Sequence, residues 1–267
     1  MIPVSTLIFM AVAALLGFAV PVALAWWLNR KYHIRWQTIL IGAATFIVFA
    51  LLLEPILHQI VLKGPHGAQL MANIWCYALY GGLAAGIFEE TGRFLAMKFL
   101  MKKEPSTARP GVAYGIGHGG AEMLIVFGIT MISNLAVSML INAGQADLLT
   151  AKVPEEQLAQ VQAQFDQLSS LTAGTLCLGL WERISALVLQ LGLSMMVWTA
   201  VRRGGKWLWL FPAAILLHAL VDGVVVVLSK SVGMIAVEII VCAMAIALGA
   251  TGWMLARKLN AAPAQTL

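Results

Sequence analysis

The sequence predicts an all-α, polytopic membrane helix bundle of about seven spans, with its amino terminus outside and its carboxyl terminus in the cytoplasm. Three observations carry that expectation. Of the 267 residues, 61% are hydrophobic and 11% are charged, and the mean hydropathy is +0.88, so a soluble domain of this length would be covered in apolar surface. Seven apolar segments, at about 5–28, 37–62, 72–99, 111–141, 171–201, 207–228 and 232–256, each reach the roughly 20 residues that cross about 30 Å of hydrocarbon. Finally, Arg30, Lys31, Arg35, Lys98, Lys102, Lys103, Arg109, Arg202, Arg203, Lys206, Arg257 and Lys258 follow spans one, three, five and seven, whereas the opposite connections hold only Lys63, Lys152 and Lys230. That bias is the positive-inside rule. The net charge of +5 therefore reads as topology, with contact to anionic membrane lipids, and nucleic acid is not expected as a partner.

The first segment lacks a basic leader region and a small-residue cleavage site, so it reads as a retained span; it contains Pro21 and ends at Trp26 and Trp27. Span two carries Glu54 before Pro55, with His58 one turn on. An extension of a polar pocket and an interfacial carboxylate are both compatible with this, and the interfacial reading is preferred because the pair lies near the outer end. Cys76, Cys177 and Cys242 are scattered through apolar segments and read as packing residues. The polar stretch at about 143–170 is expected to form an outer amphipathic helix after Pro154, with Leu158, Val161, Phe165 and Leu168 on one face. The chain is expected to be a single integral membrane domain over 1–267 with a catalytic core at about 72–230.

Span three holds GGLAAGIFEETGR at 81–93. Glu89, Glu90 and Arg93 each cost about 2.5–3.5 kcal/mol inside a spanning helix, so they need partners. Arg93 stands four residues after Glu89 and three after Glu90 and can reach back to either. Span four opens with GVAYGIGHGGAEML, where His118 and Glu122 share a face inside a glycine collar. The glycines of spans three and four are expected to press these two helices together, as their short connection also suggests. Span five has Glu182 and Arg183, read as scaffold, with Arg183 able to pair with Glu89, Glu90 or Glu122. Span six supplies HALVD, in which Asp222 lies one turn from His218 and can fix its tautomer. Counted inward at helical rise, Glu89, Glu90, His118 and His218 fall at one depth in the cytoplasmic half of the bilayer. Carboxylates and imidazoles in a water-poor site can activate water and polarise a carbonyl, which is hydrolytic chemistry.

FEETGR on one span, a glycine-rich span with its His, and a following HxxxD resemble the YhfC family of bacterial intramembrane proteases. That family is related in layout to the CAAX-protease and bacteriocin-processing superfamily. The resemblance covers about 72–230. It implies an intramembrane endopeptidase of the bacterial cytoplasmic membrane acting on a membrane protein or lipidated peptide. It also implies that Glu89 and Glu90 carry the water-activating carboxylate, with His118 and His218 beside it and Arg93, Glu122, Asp222, Glu182 and Arg183 in support. Gln190 stands where the resemblance leads one to expect another His. A glutamate-type mechanism without a cofactor is preferred. Zinc, held by His118, His218 and Glu90, is the alternative, although HExxH is absent. Two rivals from other classes are a proton-coupled transporter or channel using the buried acids and imidazoles, and a non-catalytic membrane scaffold.

Overall fold

A computed structural model describes residues 1–260, and among them there is no strand. The helices are α1 (Val4–Tyr32), α2 (Trp36–Phe46), α3 (Glu54–Leu62), α4 (Gly67–Ala72), α5 (Ile74–Leu95), α6 (Ala108–Glu122), α7 (Thr130–Asn142), α8 (Asp147–Thr150), α9 (Glu155–Ser170), α10 (Ala173–Arg203), α11 (Leu210–Leu228) and α12 (Met234–Asn260). Three π-helical stretches, Ile47–Leu53, Ala96–Leu100 and Met123–Ile129, link α2 to α3, extend α5, and link α6 to α7. The protein is an all-α, integral membrane bundle. The helix expected after Pro154 is α9, which begins directly after that residue.

Six helices among the described residues are long and apolar enough to cross a membrane, against an expectation of about seven. The missing one is the third expected span. Glu89, Glu90, Arg93 and several glycines lie within Ile74–Leu95 and dilute its apolar character. Its start is set by Asn73, whose side-chain oxygen accepts from the backbone N–H groups of Trp75 and Cys76 at 3.0 and 3.2 Å and so caps the first turn.

The described chain divides into two compact units. The smaller comprises residues 1–20 and 123–183, and the larger residues 21–122 and 184–260. In the smaller unit, Met10, Phe127, Met131, Leu168 and Leu176 form the core. There Asn142 ties down the start of the chain by accepting from the Ile2 N–H at 2.7 Å and donating to the Ile2 carbonyl at 2.8 Å.

In the larger unit the carboxyl-terminal half of α10 is central; Leu193, Ser194, Val197, Trp198, Thr199 and Ala200 have no exposed surface. The helices around it touch backbone to backbone, and glycine makes that contact feasible. A Cβ at Gly42 would strike the Tyr114 carbonyl and one at Gly117 the Ile39 carbonyl, so α2 and α6 are in direct contact. Gly82 meets the Ala219 backbone, and a Cβ at Gly86 would lie 2.6 Å from the Ile215 carbonyl, which does the same for α5 and α11. The glycines of spans three and four therefore do not press those two helices together. Span three uses its glycines against span six. Span four uses its own against span two and, through Gly111, Gly115 and Gly119, against α10. A short connection makes two helices sequential neighbours, but it does not decide which stripped face meets which partner.

These contacts predict opposite outcomes for two glycine substitutions, read by thermal unfolding in detergent. Gly117→Val forces α2 and α6 apart and is expected to destabilise by about 1–3 kcal/mol, the usual range for overpacking. Gly81→Ala meets nothing within 4 Å. It is expected to be neutral or to stabilise by up to about 1 kcal/mol through helix propensity.

Candidate active site

The site is assembled in the larger unit from α5, α6, α10 and α11. On α5, Glu89 and Glu90 leave the helix on adjacent positions and reach different neighbours. His118 Nε2 on α6 lies 2.8 Å from Glu89 Oε2. His218 Nδ1 on α11 lies 2.9 Å from Glu90 Oε1, and its Nε2 faces Asp222 Oδ2 at 3.7 Å. His118 is fully buried, with Phe46 edge-on and Tyr114 stacked beside its ring. The glycine collar has a concrete purpose here. With Gly117 against α2 and Gly119 against the Gln190 side chain, α6 sits deep enough in the unit to deliver His118 to Glu89.

Arg93 is the buried cation of the site. Its Nη1 donates to the Gln190 carbonyl at 2.9 Å and to Ser194 Oγ at 2.7 Å, its Nη2 donates to Gln190 Oε1, and its Nε faces Glu90 Oε2 at 3.2 Å. Of the two carboxylates the guanidinium could reach from sequence spacing, its ion pair is with Glu90. Gln190 then completes the network, because its amide Nε2 donates to Glu89 Oε2 and to Glu122 Oε2, both at 2.9 Å. The two adjacent carboxylates end up unlike each other. Glu90 is enclosed between a cation and an imidazole with no exposed surface, whereas Glu89 is bonded by an imidazole and a neutral amide and keeps 10% of its side chain exposed.

The site thus brings together Glu89, Glu90, Arg93, His118, Glu122, His218 and Asp222. Glu182 and Arg183 belong to the smaller unit, where they pair with each other. Neighbouring positions leave a helix about 100° apart, but the long arginine arm closes that gap. Sequence reasoning noted Gln190 only as a position lacking a His and passed over Ser194. The signal was available in the spacing, since Gln190 and Ser194 stand one turn apart on one face of a long apolar run, where two polar side chains need a buried partner.

A family model described as YhfC intramembrane metalloprotease matches residues 16–245. Over 249 residues the chain is 37% identical to the uncharacterized membrane protein YhfC of Bacillus subtilis (strain 168), covering 92% of this chain and 94% of that one. No solved structure matches the chain.

The family description raises the question of a metal. Imidazole and carboxylate are zinc ligands in kind, so His118, His218 and Glu90 have the right chemistry. Their arrangement does not fit. Among the described residues no three His, Cys, Asp or Glu side chains converge as a metal-holding group. The imidazole nitrogens that face the carboxylates are each engaged with a different one, and the Arg93 guanidinium already neutralises Glu90.

The enclosed pair supports a double-mutant cycle measured by unfolding in mixed micelles. Arg93→Met leaves Glu90 buried without its cation and is expected to cost about 3–5 kcal/mol. Adding Glu90→Gln removes the stranded charge, so the double variant is expected to recover part of that loss; strictly additive losses would show that the two side chains do not interact.

Proposed function

This chain belongs to the YhfC intramembrane metalloprotease family, and from that membership we propose that it is an endopeptidase that cleaves a membrane-embedded or membrane-associated substrate by glutamate-activated water. The observation that supports this most directly is the unequal surroundings of Glu89 and Glu90. A general base must be reached by water, and Glu89 is the member of the pair whose side chain keeps exposed surface. Glu90, pinned by Arg93, is suited to orienting His218 through Nδ1.

In the mechanism we propose, Glu89 takes a proton from a water molecule as its oxygen attacks the scissile carbonyl carbon. The Gln190 amide and His118 hold the Glu89 carboxylate in one orientation, so little reorganisation accompanies the transfer. The second imidazole completes the balance. With Nδ1 anchored on Glu90, protonated His218 gives the proton on Nε2 to the leaving nitrogen as the carbon–nitrogen bond breaks. The proton gained by Glu89 then passes on to restore His218. Glu122 and Asp222, one helical turn further along α6 and α11, brace Gln190 and face His218 Nε2 respectively. No step requires a metal, although the family description makes a metal-dependent version of the same hydrolysis the second reading.

The test is N-terminal proteomics of membranes from cells carrying the wild type, Glu89→Gln or Glu90→Gln. Glu89→Gln is expected to lower formation of a membrane-proximal cleavage product by about 10²–10⁴-fold, the contribution of a positioned general base. Glu90→Gln is expected to lose less. Products unchanged in both variants would falsify the assignment. Elemental analysis and chelation separate the two versions: the glutamate version predicts substoichiometric metal and activity that survives 1,10-phenanthroline, and the metal version predicts the reverse.

A further inference from the structure

Hydrolysis at a buried site needs a route for water, and the larger unit is built unequally on the two sides of the Glu89–Glu90 pair. Towards the end that carries the Lys and Arg clusters, the cytoplasmic end by the positive-inside rule, the pair is backed by Arg93 and then by Met97, Met101, Tyr114, Val197 and Trp198. Each of these is at most 1% exposed. That side is closely packed and mostly apolar beyond Arg93.

Towards the other end the side chains are polar and progressively more open. Beyond Glu90, which has no exposed surface, come His218 at 4%, Glu54 at 12%, His58 at 33% and Asp222 at 38% side-chain exposure. Glu54 Oε1 lies 3.1 Å from His58 Nε2, and His58 Nδ1 lies 2.8 Å from the Tyr80 hydroxyl. Glu54 is also within Coulombic range of Glu89, Asp222 and His218. The π-helical stretch Ile47–Leu53 delivers Glu54 to this face. Such widened turns re-aim the residues that follow and recur at functional sites. The contact of α5 with α11 is tightest at Gly82, where a Cβ would lie 2.3 Å from the Ala219 carbonyl, and it opens only beyond that point. A Cβ on Gly86 would lie 2.6 Å from the Ile215 carbonyl, whereas one on Gly223 would lie at an ordinary 3.4 Å from the Ala78 carbonyl, and Gly81 faces open space.

From these two unequal sides we infer that Glu54, His58 and Tyr80 form an outward-facing polar entrance through which water, and with it the scissile segment of a substrate, reaches Glu89 from the non-cytoplasmic face. The inference deepens the proteolytic reading and rests on it for the use made of the water. The polar lining keeps the path wet, because water in a narrow passage needs several polar partners. It gives Glu54 and His58 a role that an interfacial acid and its neighbour would not have.

The test reads access rather than cleavage. In a background with Cys76, Cys177 and Cys242 replaced by Ala, Tyr80→Cys and Glu89→Cys are made singly. Each is treated with methanethiosulfonate ethylsulfonate, which does not cross membranes, in right-side-out and in inverted vesicles. Both cysteines are expected to react from the outer face and to be protected from the inner one. Adding Glu54→Leu and His58→Leu is expected to slow labelling of Glu89→Cys by about tenfold or more, since an anionic reagent then has to cross an apolar neck. Unfolding curves for each variant separate lost access from a lost fold. Labelling from the cytoplasmic face, or a rate at Glu89→Cys indifferent to the two leucines, overturns the entrance. An entrance that behaves as described in a protein whose Glu89→Gln variant leaves every cleavage product unchanged overturns the proteolytic reading instead.

Discussion

The larger unit depends on how one fully buried guanidinium is satisfied. Taking an ion out of water costs several kcal/mol even after relaxation, and the cost is offset only if nearly every donor finds an acceptor. Arg93 meets that demand with the Gln190 carbonyl, the Gln190 side chain, Ser194 Oγ and the facing carboxylate of Glu90. These groups come from two helices, so the register of α5 against α10 follows from the hydrogen bonds of one side chain. The orientation of the Gln190 amide follows as well. Its oxygen is claimed by Arg93, its nitrogen must therefore face Glu89 and Glu122, and a residue that never touches Glu89 decides what Glu89 accepts.

The same network makes two chemically identical neighbours different. Glu89 and Glu90 share a helical turn, yet α6 supplies the imidazole for one and α11 the imidazole for the other. The division needs three helices close to α5, which explains the density of glycine at their contacts. Side chains at Gly82, Gly86 or Gly117 would push backbones apart by more than the hydrogen bonds can stretch.

Much of this was legible in the amino-acid sequence, for physical reasons. Span positions follow from runs of apolar residues, and helix orientation from the side on which Lys and Arg fall. The meeting of Glu89, Glu90, His118 and His218 follows from counting rise along helices of known direction. Partner choice was harder to read. Small-residue stripes say that a helix is approached closely but not by which neighbour, so the glycines of spans three and four were matched to each other when each faces a different helix. Arg93 could reach Glu89 or Glu90 by spacing alone, and only the position of α10 separates them. The π-helical stretches left no mark in the hydrophobic pattern, although one precedes Glu54, one begins three residues after Arg93 and one begins directly after Glu122. Each shifts the face on which later residues emerge, and no helical wheel drawn at a constant 100° per residue can follow them.

The polarity of α5 has a consequence for synthesis. A nascent helix enters the bilayer according to its own hydrophobicity, and each ionised residue near its centre opposes entry by about 2.5–3.5 kcal/mol. Glu89, Glu90 and Arg93 leave the ribosome roughly a hundred residues before Gln190 and Ser194 and further still before His218. The helix that carries the site therefore has to be held by the insertion machinery or by its earlier neighbours while its partners are still being translated. Within that order Glu90 balances the Arg93 charge inside α5 itself, and α10 is the element that supplies the remaining acceptors for its guanidinium.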